Sequence, residues 1–333
     1  MKFFDSTSLI AQGITEPSLT RQYPFQRIPD QYQESLRKEL WGFSENSAGV
    51  SITFQTNSSQ IRLQWKIKLD FKMNHMANTG IKGLDLYQYK NNNWYYSSTG
   101  IPISKNNDEI IFENKKSKLR KFRLHLPLYD TVTDLKIGIN DDSKFLNSQI
   151  DSKKIVFYGT SITQGGCASR PGLSHTNIIS RKTGYDCINY GFDGNGHLES
   201  SIGLILSKIK ANFYLIDCLP NIDIESIKSN VINLIESIRS SSNSIDKPIV
   251  FIDQPDAHND YFEEDIYEKN KTLRKQVKKA LKMGHKYIYL IKSGDCLGAD
   301  NEATVDGIHY NDIGYARFAQ HIITELKRLD IGF

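Results

Sequence analysis

The chain has 333 residues, enough for more than one domain at roughly 100–200 residues each. Its 42 basic and 38 acidic residues leave a net charge of +4, too mild to imply attraction to nucleic acid. No run approaches the ~18 apolar residues of a membrane span. The four cysteines, Cys167, Cys187, Cys218 and Cys296, show no C-x-x-C spacing and no His-rich neighbourhood, so ordinary core thiols are expected and no metal site. Met1–Ile10 lacks an apolar core ahead of a cleavage site, which places the protein in the cytoplasm. A leader already removed would instead make it periplasmic or secreted.

From about residue 20 to 145 the pattern alternates. Val50, Ile52 and Phe54, then Ile61, Leu63, Trp65, Ile67 and Leu69, flank the polar Thr56–Gln60 and read as an antiparallel hairpin with one buried face. Leu84 and Leu86 continue the pattern, and Asn91-Asn-Asn93 marks a tight turn before Trp94. The basic run Lys115–Lys121 reads as a solvated loop beside the strand Phe122–Leu126, and Leu135, Ile137 and Ile139 close the series. Short strands with little helical signal argue for a β-sandwich or jelly roll. Its aromatics (Trp41, Trp65, Trp94 and Tyr87) are expected in the core, with stacking on sugars as their alternative use.

Past residue 152 the period changes. Lys154–Tyr158, Phe213–Asp217, Ile249–Asp253 and Tyr287–Ile291 are continuous apolar runs, as suits parallel strands covered on both faces. Ile224, Ile227, Val231, Leu234, Ile235 and Ile238 recur at helical steps, as do Leu273, Val277, Ala280 and Leu281. Alternating strand and helix gives a three-layer α/β/α domain with a parallel sheet. The polar stretch Ser143–Ser152 is the expected join, giving a sandwich over 1–148 and an α/β domain over 149–333.

Ligands of such sheets bind beyond the carboxyl ends of the strands. Ser161 follows the first strand by three residues, in Gly159-Thr-Ser161-Ile-Thr-Gln-Gly165. Asn221 ends Asp217-Cys-Leu-Pro-Asn221, and the glycine-rich Asn189–Gly196 follows the short strand Asp186-Cys-Ile188. Asp306-Gly-Ile-His309 precedes a helix beginning near Asn311-Asp312. A serine, an amide and an aspartate–histidine pair are the parts of a nucleophilic hydrolase. Taken singly they are ordinary: a serine after a strand usually caps a helix, and Asp306 with His309 could merely close a loop. Rival motifs fail. The phosphate loop lacks its lysine, Glu199 stands where a dinucleotide fingerprint needs glycine, and Thr163 replaces the last glycine of G-x-S-x-G. His75, His175, His197 and His258 read as surface or packing residues, although His75 and the Asp256-Ala-His258 loop could line the pocket.

Together these stretches resemble the SGNH (GDSL-type) hydrolases. Gly-Thr-Ser161 with Ile-Thr-Gln-Gly is similar to their first block, Gly194 to the second, Asn221 to the third and Asp306-x-x-His309 to the fifth. Gly83-Leu-Asp-Leu-Tyr87, with Met73-Asn-His-Met-Ala-Asn78 before it, resembles the GxDLY-type β-sandwich that precedes such domains in an esterase subgroup. Thr160 for the Asp of GDS, and Asp217-Cys-Leu-Pro-Asn221 for G-x-N-D, are departures that remove no residue the chemistry needs. The resemblance implies a flavodoxin-like catalytic domain and hydrolysis of small acyl esters, acetyl groups on carbohydrate being the expected substrate. It implies Ser161 as nucleophile, His309 as base, Asp306 as its orienter, and an oxyanion hole from Ser161, Gly194 and Asn221. No cofactor, metal, nucleic acid or membrane partner is expected. The rival expectation is a carbohydrate-binding protein whose α/β half is a scaffold without turnover.

Overall fold

The alternating stretches of the first half build two antiparallel sheets packed face to face. The structure, a computed structural model, describes residues 1–5, 8–148, 153–256 and 260–332. One sheet runs β1 (Lys2–Asp5), β9 (Val132–Ile139), β4 (Gln60–Ile67), β7 (Asn106–Glu113). The other runs β10 (Phe145–Asn147), β3 (Ser51–Thr56), β8 (Arg120–His125), β5 (Leu84–Lys90), β6 (Asn93–Gly100), with β2 (Ala11–Gln12) also paired to β3. Ile61, Leu63, Trp65 and Ile67 of β4 meet Ile52, Phe54, Leu86, Phe122 and Leu124 of the facing sheet in one apolar cluster.

The hairpin expected between β3 and β4 does not form. β3 pairs with β8, β2 and β10, while β4 pairs with β7 and β9, so the polar stretch between them crosses from sheet to sheet. Period two reports which face is buried; it does not say whether the next strand lies beside or opposite. The Asn91 turn does close a hairpin, β5 to β6, with Asn91 and Asn92 at φ of 50° and 60°. Positive φ at both central residues is what a two-residue type I′ turn needs. Trp41, Trp65 and Tyr87 are buried, and Trp94 lies under the Arg123 guanidinium, 4.9 Å from ring centre. These aromatics are used in packing.

The apolar runs of the second half form a five-stranded parallel sheet, β12 (Asp186–Gly191), β11 (Lys154–Gly159), β13 (Phe213–Asp217), β14 (Ile249–Ile252), β15 (Ile288–Ile291). Two short helices from the sandwich half, α1 (Lys38–Ser44) and α2 (Asn78–Lys82), lie against this domain, and α3 (Ser161–Gln164) follows β11. Alternate strand residues then face opposite layers. Val156 and Tyr158 meet α5 (Ser200–Lys208), α6 (Ile224–Ile238) and α7 (Asp260–Lys282); Ile155 and Phe157 meet α4 (His175–Thr183) and α8 (Asp312–Arg328). Counted within the domain, the strand order is 2-1-3-4-5, whose reversal between β11 and β13 makes the crevice where such sheets bind ligands.

Two buried polar contacts tie the halves together. Asp85, fully buried on β5, accepts from Arg170 Nη1 and the Gly172 amide at 2.8 Å each, and from Thr99 Oγ1 at 2.6 Å. Arg170 also donates to Tyr87 Oη at 2.8 Å. Arg27 is fully buried and donates to the carbonyls of Asn46, Asn189 and Gly191 at 3.0, 2.9 and 2.7 Å, and no carboxylate among the described residues pairs with it. Burial holds its guanidinium down to about 9. Ile28, Leu36, Leu40 and Trp41 sit in the apolar core of the α/β half, so the segment preceding β3 packs there.

Removing Asp85 would leave the buried Gly172 amide without its acceptor and the half-buried Arg170 guanidinium without its acid, a loss of about 1–3 kcal/mol. Asp85→Ala is therefore expected to lower the thermal midpoint measured by calorimetry; an unchanged midpoint would deny the carboxylate any part in holding the halves. Asp217, at the end of β13, gives a second test. Burial raises its carboxyl from 3.8 to about 7, and its Oδ2 has no partner among the described residues. A folded value above the unfolded one means stability is fully present below pH ~4 and is lost as pH rises to about 7. Asp217→Asn should therefore raise the melting midpoint at pH 8 and leave it nearly unchanged at pH 4.

Candidate active site

The turn that carries Ser161 is set by close approach of backbone. A Cβ at Gly159 would collide with Thr163 Oγ1 and with the carbonyl of Asp217 on the adjacent strand, so only glycine fits the end of β11 there. Thr160, which stands where the family motif has Asp, caps the following turn: its Oγ1 accepts from the Ile162 amide at 3.3 Å. The turn stops at Gly165 (φ 113°), whose amide and that of Gly166 donate to the Ser161 carbonyl at 2.9 and 2.8 Å. Gln164 is fully buried, donating to Asn46 Oδ1 and the Leu128 carbonyl and accepting from the Asp193 amide at 3.1 Å. This residue, which the sequence reading passed over, binds the serine turn to both neighbouring loops. Its signal was a lone amide in a turn with no surface to solvate it.

Ser161, His309 and Asp306 are brought together. His309 Nδ1 lies 2.7 Å from Asp306 Oδ2, and Nε2 lies 3.0 Å from Ser161 Oγ. With Nδ1–H donated to the carboxylate, Nε2 is left to accept from the serine hydroxyl. Asp306 Oδ1 also accepts from the amides of His309 and Ile308 at 2.8 and 3.0 Å. Burial pushes the Asp306 carboxyl up, but these hydrogen bonds from His309 and Ile308 outweigh it and hold it below its usual range.

Donors lie on the adjoining loops. Gly194 has φ of 62° and open space where a Cβ would be. Asn221, in the turn after β13, accepts from the Gly196 amide at 3.3 Å through Oδ1, which directs its Nδ2 elsewhere. Among the described residues, Asn221 Nδ2 and the backbone amides of Ser161 and Gly194 have no hydrogen-bond partner. Three N–H donors without acceptors, on loops at the carboxyl edge of the sheet, are what an incoming oxyanion needs. Around them the surface is polar: His197 donates to the Gly194 carbonyl at 2.9 Å, and Arg37 binds Asn195 Oδ1 and Glu199 at 2.8 and 2.5 Å.

The remaining histidines divide. His175 is buried and stacked on Tyr315, with its pKa pressed to about 3 by burial alone, a packing residue as expected. His75 does reach the site, its ring centre 5.7 Å from that of His309. His258 lies outside the described residues. Asp256 lines a cavity of about 30 Å³ with Ile162, Gly307 and Ile308, close to the site in sequence, yet Ser161, Gly194 and Asn221 do not line it. All four cysteines are free, and Cys167, at φ of 68°, lies beside His75 and His309. The absence of His-rich spacing around the cysteines gave no hint of that meeting.

Comparisons with known proteins give the family and the fold. Residues 152–327 match the GDSL-like Lipase/Acylhydrolase family, and residues 1–145 match the N-terminus of the SGNH-hydrolase-type esterases. A GDSL-like lipase from Bacteroides ovatus superposes with a TM-score of 0.93 at 30% identity, covering 100% of this chain and 99% of that one. The salicylyl-acyltransferase SsfX3 of a tetracycline biosynthetic pathway reaches 0.79 at 14% identity, over 99% of this chain and 98% of that. A family two carbohydrate esterase from Clostridium thermocellum, in complex with cellohexaose, reaches 0.64 at 12% identity, over 84% and 92%. No curated protein matches the chain. With the family profile spanning more than half its length, this protein belongs to the GDSL-like lipase/acylhydrolase family, with the GxDLY domain of SGNH-type esterases at its N-terminus.

Proposed function

We propose that the protein is a serine esterase that removes small acyl groups, acetyl above all, from carbohydrate. The observation that carries this reading is the continuous line from Ser161 Oγ to His309 Nε2 and from Nδ1 to Asp306, at 3.0 and 2.7 Å. Ser161 attacks the ester carbonyl as His309 takes its proton, and Asp306 stabilises the imidazolium without being protonated itself. The negative charge forming on the carbonyl oxygen is met by the amides of Ser161 and Gly194 and by Asn221 Nδ2. Collapse of the tetrahedral intermediate expels the alcohol with the proton from His309. Water, activated by the same imidazole, then releases the acid and restores Ser161. The sequence takes no cofactor. A carbohydrate alcohol is favoured by the polar rim of Arg37, Asn195, His197 and Glu199 beside the oxyanion donors. The fold shared with a cellohexaose-binding carbohydrate esterase supports the same substrate class.

Two measurements test this. Wild-type protein should hydrolyse p-nitrophenyl acetate faster than longer acyl esters, with Ser161→Ala at background; equal rates for the two would leave the carbohydrate-binding scaffold as the better account. Asn221→Ala should lower kcat by ~10²–10³ with little change in KM, since the interaction exists only once the oxyanion forms. A variant with kcat intact would take Asn221 out of the hole.

A further inference from the structure

We propose that His75, Cys167 and His309 together form an inhibitory site for a borderline-soft divalent cation, zinc by chemical preference. One ligand atom from each lies within 4.8 Å of the other two. A tetrahedral zinc with bonds of about 2.0–2.3 Å to nitrogen and sulfur holds its ligand atoms roughly 3.3–3.8 Å apart, so small rotations of the three side chains close the site. Two imidazoles and a thiol are a zinc donor set, and they leave a fourth position for water or for Ser161 Oγ, which already touches His309.

The ring nitrogens point the same way. Asp306 engages His309 Nδ1 at 2.7 Å and Asn74 Oδ1 engages His75 Nδ1 at 2.8 Å, so His75 keeps a free Nε2 and His309 offers the Nε2 that otherwise accepts from Ser161 Oγ. A histidine whose other nitrogen donates to a carboxylate is the usual arrangement of a metal-bound imidazole. Cys167 is presented from a backbone at φ of 68°, a conformation that costs energy for a residue with a Cβ. Asp306 and Asp193 both act on Cys167 by their negative charge, which favours a dication at the site. On binding, the thiol gives its proton to solvent as the sulfur–metal bond forms, and the His309 lone pair passes from the Ser161 hydroxyl to the metal. The base of the hydrolytic site is then occupied.

The consequence for activity rests on the reading of His309 as general base, so binding and inhibition are measured separately. Chelator-treated full-length protein is titrated with zinc chloride during p-nitrophenyl acetate hydrolysis, each variant being compared with its own metal-free rate. Wild type should be inhibited, and released by chelator. Cys167→Ser and His75→Gln should each raise the half-inhibitory zinc concentration by ~10–100-fold or more, the loss seen when even outer partners of a metal site are changed. Binding is read with cobalt(II), whose thiolate charge-transfer band should appear in wild type and in the inactive Ser161→Ala, and vanish in Cys167→Ser. Zinc inhibition identical in wild type and both variants, or no thiolate band, overturns the site. A thiolate band in protein that hydrolyses nothing would uphold the site and remove the esterase reading instead.

Discussion

His309 meets Ser161 across 148 positions of chain because the loop before α8 is held at both ends. Thr304 and Tyr310 form a β-bridge, the Val305 amide donates to the His309 carbonyl at 2.9 Å, and the Asn311 amide returns to the Ala303 carbonyl at 3.0 Å. Asn311 then caps α8 through the amides of Ile313 and Gly314. An imidazole on such a loop has few orientations left, and the Asp306 carboxylate selects among them. Ordering a free loop would otherwise consume much of the energy available for aligning the pair.

The same chain of contacts gives the sandwich a role in the site without requiring it to touch a substrate. Asp312, the first residue of α8, accepts from the amide and hydroxyl of Ser169 at 2.9 and 2.6 Å. Arg170 and Gly172, directly after Ser169, are the residues Asp85 holds from β5. A buried carboxylate on a strand of one domain is thus two short links from the loop that carries His309. The G-x-D-L-Y stretch reads in this light as a clamp: the Asp and Tyr face the neighbouring domain while Leu84 and Leu86 face the sandwich core. Arg27 does comparable work from the N-terminal side, fixing the carbonyls of Asn189 and Gly191 at the root of the loop that leads to Gly194.

What the sequence made legible follows from how local its signals are. Strands covered on both faces announce themselves as short apolar runs, so the strands of the parallel sheet could be read, as could α6, α7 and α8 from their helical steps, whereas the short α4 and α5 were not. A serine, an amide and an Asp-x-x-His after strand ends needed only the rule about carboxyl edges. Pairing in the sandwich was not legible in this way, because a strand opposite and a strand alongside bury the same alternate residues; β3 and β4 are the case in point. Nor could spacing reveal that Ile28, Leu40 and Trp41 pack in the α/β core, or that His75, Cys167 and His309 converge. Those are products of tertiary contact between segments with no common period.

Burial sorts the acids of this region by the donors each one finds. Asp217 finds almost none, and desolvation carries it to about 7. Asp193 is likewise raised by burial, with His309 and His75 offsetting in part. Asp306 is the least enclosed of the three and receives three N–H groups from its own loop, which keeps its charge favourable. A carboxylate meant to orient a histidine must stay ionised while the imidazole gains and loses a proton. One that shared the surroundings of Asp217 would take that proton for itself near neutral pH. The partly open position of Asp306 is therefore a requirement of its place beside His309, and burying it more deeply would work against the pair.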